Sequence, residues 1–173
     1  MGYFVDFTLL FLVYISLYYR RWRNNPGNTF IIKTIMYVYI VMVLFVTIMP
    51  FTIPLNGTNI LFMETANFIP FRDLMLKYDG ATREIYLNIL MMLPFGSLYP
   101  LIKKKGLFTT IIATLTFSFF IECYQLISVW WNSASTRIFD VTDLITNTIG
   151  GLIGYILYLI LSLITSNNKN NYS

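Results

Sequence analysis

Two acidic residues, Glu122 and Asp143, are the side chains of this sequence best placed to do chemistry. Glu122 lies within an apolar run three residues before Gln125, and Asp143 opens another apolar run four residues before Asn147. Charged groups inside membrane-spanning segments usually face a protein interior or a watery cavity. There the two carboxyl groups could act as a general acid and base, or they could hydrogen-bond a polar ligand.

Arginines and amides surround these acids along the chain. Guanidinium groups bind phosphate or carboxylate through paired hydrogen bonds, and side-chain amides suit sugar or peptide groups. We therefore predict a ligand-binding set of nine residues: Arg72, Arg83, Asn88, Glu122, Gln125, Arg137, Asp140, Asp143 and Asn147. Glu122 and Asp143 are the candidates for catalysis. The sequence has no histidine, which excludes histidine zinc sites and Ser-His-Asp triads, and we predict neither a metal nor a cofactor.

The composition indicates an integral membrane protein. Of the 173 residues 57% are hydrophobic and 12% charged, and the mean hydropathy is +0.65. Five apolar stretches are long enough to cross a bilayer, which predicts an all-α bundle of about five transmembrane helices: Tyr3–Tyr19, Phe30–Pro50, Ile85–Ile102, Leu107–Val129 and Val141–Ile164. We place residues 1–165 in one transmembrane domain and expect the polar tail, residues 166–173, to be disordered.

The connection between the second and third stretches, residues 51–84, is too long for a turn and still fairly apolar. Irregular backbone at membrane depth survives only against protein or water. The sequence therefore predicts a re-entrant or interface-lying segment here.

Lysine and arginine set the predicted orientation. Eight of them lie in or next to the first connection, in the third connection and in the tail, and four lie on the opposite side. Because cytoplasmic loops collect positive charge, we expect the N-terminus outside and the C-terminus in the cytoplasm. The net charge of +4 is what such loops would give, and it indicates no nucleic-acid partner.

With this topology the acids, amides and arginines gather at the outer ends of the third, fourth and fifth helices. Glu122 and Gln125 are three residues apart and share a helical face. A second face follows steps of three and four through Asp140, Asp143, Asn147, Gly151 and Gly154. The pattern predicts one polar pocket that opens toward the outer leaflet.

Structural alternatives stay open for each element of this pattern. Asp140 could cap the last helix, and Glu122 with Gln125 could form an interhelical structural pair. The Gly150-x-x-x-Gly154 pattern is typical of close helix packing. Pro94, in Pro94-Phe95-Gly96, favours a kink or break in the third helix.

Four segments between Asn67 and Tyr155 resemble a known family: Asn67-Phe68-Ile69-Pro70-Phe71-Arg72, Asn88 with Leu93-Pro94-Phe95-Gly96, Glu122-Cys123-Tyr124-Gln125, and Asp140 through Gly151. In order and spacing they resemble the VanZ-like membrane proteins. The resemblance implies a bacterial plasma-membrane protein associated with glycopeptide resistance, more against teicoplanin than against vancomycin. It marks the site residues without assigning them a reaction. The chain departs from the family pattern in its segment Ser128–Thr136.

Three functions follow as alternatives. The first is a non-enzymatic protein whose outer pocket binds an amphiphile, either a lipid-linked cell-wall precursor or the glycopeptide itself, in resistance or envelope maintenance. The second is a carboxylate-dependent enzyme acting on an outer-leaflet lipid-linked substrate. The third is a lipid flippase or transporter. The expected partners are membrane lipids, the precursor or glycopeptide, and a second copy of the chain.

Overall fold

The structure, a computed structural model, describes residues 2–51, 59–131 and 138–170, with the backbone alone for residues 166–170. It contains five long helices: α1 (Tyr3–Trp22), α2 (Gly27–Thr47), α3 (Ala81–Lys103), α4 (Leu107–Trp131) and α5 (Val141–Asn170). Each is long and apolar enough to cross a membrane. The prediction of an all-α fold with five spans is confirmed.

The helix ends differ from the predicted ones by a few residues. α1 extends to Trp22, and α2 ends at Thr47, three residues before Pro50. Proline disfavours helical backbone in the residue before it, so α2 has to end before Met49. α3 already begins at Ala81, and α5 continues to Asn170. The disorder expected for residues 166–173 stays a prediction.

The chain divides into two compact units. The first comprises Met1–Arg72 and Phe119–Thr142, and the second comprises Asp73–Ser118 and Asp143–Ser173. α4 and α5 each contribute residues to both. The two units are described separately below.

In the first unit, aromatic and hydroxyl side chains join α1 to α2. The Tyr37 hydroxyl donates to the Leu10 carbonyl at 2.6 Å, and the hydroxyls of Tyr14 and Thr34 lie 2.9 Å apart. The part of α1 that runs from Tyr14 to Tyr19 is a π-helix. These contacts pair two helices that otherwise expose mainly apolar side chains.

The described part of the connection after α2 contains only short elements, a 3₁₀ turn at Phe62–Thr65 and one helical turn at Arg72–Met75. Apolar side chains such as Ile60, Phe68 and Ile69 are exposed along it. Exposed apolar residues favour a position at the membrane surface. The prediction that this segment is interfacial or re-entrant stays a prediction.

In the second unit, glycines let α3 and α5 approach each other closely. A Cβ atom at Gly150 would overlap the Ile89 carbonyl, and a Cβ atom at Gly154 would overlap the Leu93 carbonyl. Gly96 of α3 lies equally close to the Gly151 carbonyl. The structure therefore has close helix packing at Gly150 and Gly154, which is the structural alternative that the sequence left open. α3 runs through Pro94 without the break that the sequence favoured.

Candidate functional site

Asp140 is the centre of a hydrogen-bonded cluster in the first unit, which we call the Asp140 cluster (Asn67, Glu122, Asp140 and Thr142). The Asp140 Oδ1 atom accepts from the Thr142 backbone amide at 2.6 Å. Because α5 begins at Val141, this bond is a helix N-cap. The Asp140 Oδ2 atom accepts from the Asn67 Nδ2 atom at 2.9 Å. Both carboxylate oxygens thus have partners within the protein.

The backbone of Asn67 also contributes to this cluster. Its amide donates to the Phe139 carbonyl at 2.8 Å, and its carbonyl accepts from the Val141 amide at 3.0 Å. These two bonds form an isolated parallel β-bridge between Asn67 and Asp140. The segment before α3 is thereby joined to the segment that leads into α5.

Glu122 completes the cluster from α4. Its side chain is 1% exposed, and its Oε2 atom accepts from the Asp140 backbone amide at 2.9 Å. A buried backbone amide without an acceptor would cost about 1–3 kcal/mol. Glu122 supplies that acceptor just where the chain enters α5.

Two more polar contacts hold this unit together. The Gln125 Nε2 atom donates to the Thr47 carbonyl at the end of α2, at 3.1 Å. The Phe71 amide donates to the Thr142 hydroxyl at 3.0 Å, and Phe71 itself has a left-handed backbone with φ of 57°. Gln125 therefore bonds from α4 to the end of α2, and its predicted role in ligand binding stays a prediction.

In the second unit, predicted site residues meet in side-chain pairs. The Asn88 Nδ2 atom of α3 donates to the Asp143 Oδ1 atom of α5 at 2.6 Å. The Asn147 Nδ2 atom of α5 donates to the Ser118 hydroxyl of α4 at 2.8 Å. Asn147 is 1% exposed, and its Oδ1 atom has no hydrogen-bond partner. An unpaired buried carbonyl oxygen is costly, so a donor from a ligand or water would be favourable there.

A row of buried hydroxyl residues leads along α4 to Ser118. Thr110, Thr114 and Ser118 are spaced four residues apart and are fully buried. The Thr110 and Thr114 hydroxyls donate to the carbonyls four residues earlier in sequence, at 3.1 and 2.9 Å. Helix carbonyls thus satisfy these donors, as expected inside a membrane-spanning bundle.

A second feature of the second unit is an open cleft of about 840 Å³ at the start of α3, which we call the basic cleft. Leu74, Lys77, Tyr78, Asp79, Gly80, Thr82 and Arg83 line it. Lys77 and Gly80 have left-handed backbones, with φ of 55° and 92°, and turn the chain into the helix. The N-cap residue, Gly80, has no side chain to cap the first amides of α3. The lining thus combines two cations, one acid, apolar side chains and a helix N-terminus.

The structure distributes the predicted site residues over both units. Arg72, Glu122, Gln125 and Asp140 lie in the first, and Arg83, Asn88, Asp143 and Asn147 lie in the second. Arg72 is exposed on its short helical turn, and Arg137 lies outside the described residues. The shared pocket stays a prediction. Asp140 precedes α5, so it does not belong to the helical face on which the sequence pattern placed it.

Sequence reasoning did not select four residues that contribute to these contacts: Asn67, Lys77, Ser118 and Thr142. Asn67 and Thr142 stand in the segments that carry the family resemblance, and that signal could have found them. Thr142 also follows Asp140 by two residues, as a capped amide does. Among residues 2–51, 59–131 and 138–170, no three His, Cys, Asp or Glu side chains are grouped as a metal site would need.

The helices and their polar contacts define a multi-pass helical membrane protein. The VanZ/LLP1 family model matches residues 35–162, well over half of the chain. The chain belongs to the VanZ/LLP1 family, which confirms the resemblance seen in its sequence. No curated protein and no solved structure matches the chain.

Proposed function

We propose that this chain binds an anionic amphiphile at the outer surface of the bacterial plasma membrane without altering it chemically. The amphiphile class is a lipid-linked cell-wall precursor, whose phosphates would bind in the basic cleft. Through this binding the protein would protect the envelope against lipid-tailed glycopeptides such as teicoplanin. One observation carries the proposal: the cleft combines cations, apolar side chains and uncapped helix amides next to a membrane-spanning helix.

The charges of the cleft suit a phosphate group. Lys77 and Arg83 are the cations of the lining and Asp79 is its acid, so the lining has a net positive charge. Amides at a helix N-terminus bind phosphate oxygens readily because they have no partner within the helix. The Ala81 amide bonds to the Tyr78 carbonyl at 3.3 Å, and Gly80 provides no capping side chain for the amides of Thr82 and Arg83, which could therefore bind a ligand.

The apolar part of the cleft suits a lipid tail. Leu74 and Tyr78 are both exposed beside the cations, and α3 starts immediately afterward. A polyprenyl chain in the bilayer would continue along this apolar surface while its phosphates meet Lys77 and Arg83. The predicted topology puts this end of α3 on the outer face.

The contacts of Asp140 favour a structural role over proton transfer for this residue. Its two carboxylate oxygens already accept hydrogen bonds from Thr142 and Asn67. A carboxylate held in this way stabilises the start of α5. It is poorly placed to transfer a proton to or from a substrate.

Binding is tested with the purified protein in nanodiscs, titrated with a polyprenyl diphosphate and with the matching polyprenol. We expect the diphosphate to bind at least about tenfold more tightly, since charge-assisted hydrogen bonds each contribute about 1.5–3 kcal/mol. The double variant Lys77→Gln/Arg83→Gln should lose that preference. The control Arg21→Gln/Arg23→Gln, which removes two exposed cations near the end of α1, should keep it.

Equal loss in both double variants, or equal affinity for polyprenol, would refute the cleft as a phosphate site. Mass spectrometry of the recovered ligand separates binding from catalysis. A product that forms with the unaltered chain and disappears in Asp143→Asn would support the enzyme instead. In cells, expression should raise the inhibitory concentration of teicoplanin more than that of vancomycin, and the cleft variant should not.

A further inference from the structure

A second recess lies at the other end of α3, where Ser97, Leu98 and Leu101 of α3 and Tyr158, Leu161, Ser162 and Thr165 of α5 form its lining. Its volume is about 620 Å³, and it is open on one side. All seven residues belong to the second unit and to helices that can span a membrane. We call this recess the α3–α5 groove.

The groove presents a mainly apolar surface although four of its seven lining residues carry hydroxyls. The Ser97 hydroxyl donates to the Pro94 carbonyl at 3.1 Å. The hydroxyls of Ser162 and Thr165 donate to the Leu159 and Leu161 carbonyls, both at 2.8 Å. The three hydroxyl protons are thus bonded within their own helices, and the leucine side chains with the Tyr158 ring give the groove its apolar surface. That surface suits an acyl chain better than water.

Positive charge follows the groove along α3. Leu101 lines the groove, and Lys103, Lys104 and Lys105 follow it within the next turn of the chain. Each helical residue advances the chain by about 1.5 Å, so the lysines follow the end of the groove closely. α3 ends at Lys103, and Lys104 has a left-handed backbone with φ of 51°. All three lysines are exposed. A head group beside them would meet three cations while its acyl chain lies between the helices.

We propose that the α3–α5 groove is a binding site for an anionic phospholipid. One acyl chain fills the groove, and the phosphate-containing head group lies against Lys103–Lys105. Basic residues beside a recess between membrane helices favour anionic lipids. This site is separate from the basic cleft and does not depend on the proposed function.

The experiment is native mass spectrometry of the full chain, released from mixed vesicles that contain phosphatidylglycerol and phosphatidylcholine with identical acyl chains. We expect at least about tenfold preferential retention of phosphatidylglycerol. The variant Lys103→Gln/Lys104→Gln/Lys105→Gln should bring retention of the two lipids close to parity. Arg20→Gln/Arg21→Gln/Arg23→Gln removes as many exposed cations away from the groove and should leave the preference unchanged.

A second pair of variants tests the groove itself. Ser162→Leu/Thr165→Leu fills it without changing charge, and it should lower the retention of both lipids several-fold. Thr116→Leu is the matched control, because Thr116 is also an exposed helical hydroxyl, bonded to the Ile112 carbonyl at 2.7 Å. It should leave retention unchanged.

Two results would overturn the site. If the lysine variant loses its preference while the filled groove retains lipid as before, the lysines attract lipid at the bilayer surface only. If filling the groove instead changes the oligomeric state in the same spectra, the groove is a contact between copies of the chain. Neither result would bear on polyprenyl diphosphate binding at the basic cleft.

Discussion

Glu122 and Gln125 of the first unit bond to backbone groups, whereas the amides of Asn88 and Asn147 in the second unit bond to other side chains. Glu122 and Gln125 contact the backbone of Asp140 and Thr47. In contrast, Asn88 pairs with the Asp143 side chain and Asn147 pairs with Ser118. The first arrangement stabilises irregular chain at helix ends, and the second joins helices whose own backbone is already satisfied.

The difference follows from what the backbone needs in an apolar environment. Chain outside a helix has amides and carbonyls that need partners, and side chains such as Glu122 provide them. Helices packed along their length have no such need, so a polar pair between them adds only about 0.6–2 kcal/mol. Polar residues of the second unit can therefore serve a ligand with less loss of stability. Three sets of variants test this comparison.

The largest effect is expected for Gly150→Ala and Gly154→Ala combined. Each added methyl group would overlap a backbone carbonyl of α3, and overpacking of this kind costs about 1–3 kcal/mol per site. The unfolding free energy in detergent, measured by denaturant titration, should fall by more than half of the combined cost of the two sites. Gly27→Ala is the control, because a Cβ atom there meets no atom within 4 Å. Unchanged stability in the double variant would contradict the close helix packing.

A smaller but clear loss is expected for Asp140→Ala. The variant removes the cap on Thr142, worth about 1 kcal/mol, and leaves the Asn67 amide group without its acceptor, at about 1–3 kcal/mol. Asp140→Asn can keep the bond to Thr142, so it should lose less. The same denaturant titration measures both. If Asn and Ala destabilise equally, the charge of Asp140 matters more than its cap.

The smallest effect is expected for variants of Asn147 and of its partner, Ser118. Ser118→Ala leaves the Asn147 amide donor unpaired, and it should cost about 1 kcal/mol. Asn147→Leu removes that donor together with an oxygen that has no partner, so its stability should stay within about 0.5 kcal/mol of the unaltered chain. A larger loss in Asn147→Leu would show that this oxygen has a favourable contact. Diphosphate binding by the same variant would then tell whether Asn147 contacts the ligand.

The five spans could be predicted because long apolar runs leave few alternatives in a chain of this composition. The sequence could not decide between two roles for Asp140, because an acid at the start of a helix can either cap the helix or belong to its polar face. Its pairing with Asn67 joins residues 73 positions apart, which no local spacing reveals. The basic cleft depends on left-handed backbone at Lys77. Lysine rarely adopts this conformation, so the sequence does not predict it.

The π-helix of α1 has a consequence for how that helix should be scanned. A π-helix accommodates an additional residue, so the angular positions of side chains before Tyr14 and after Tyr19 are offset by about 100°. Cysteine accessibility along α1 should therefore follow two periodic patterns with different phases. Deleting one residue between Tyr14 and Tyr19 should merge them into a single regular pattern, a change that most transmembrane helices would not tolerate.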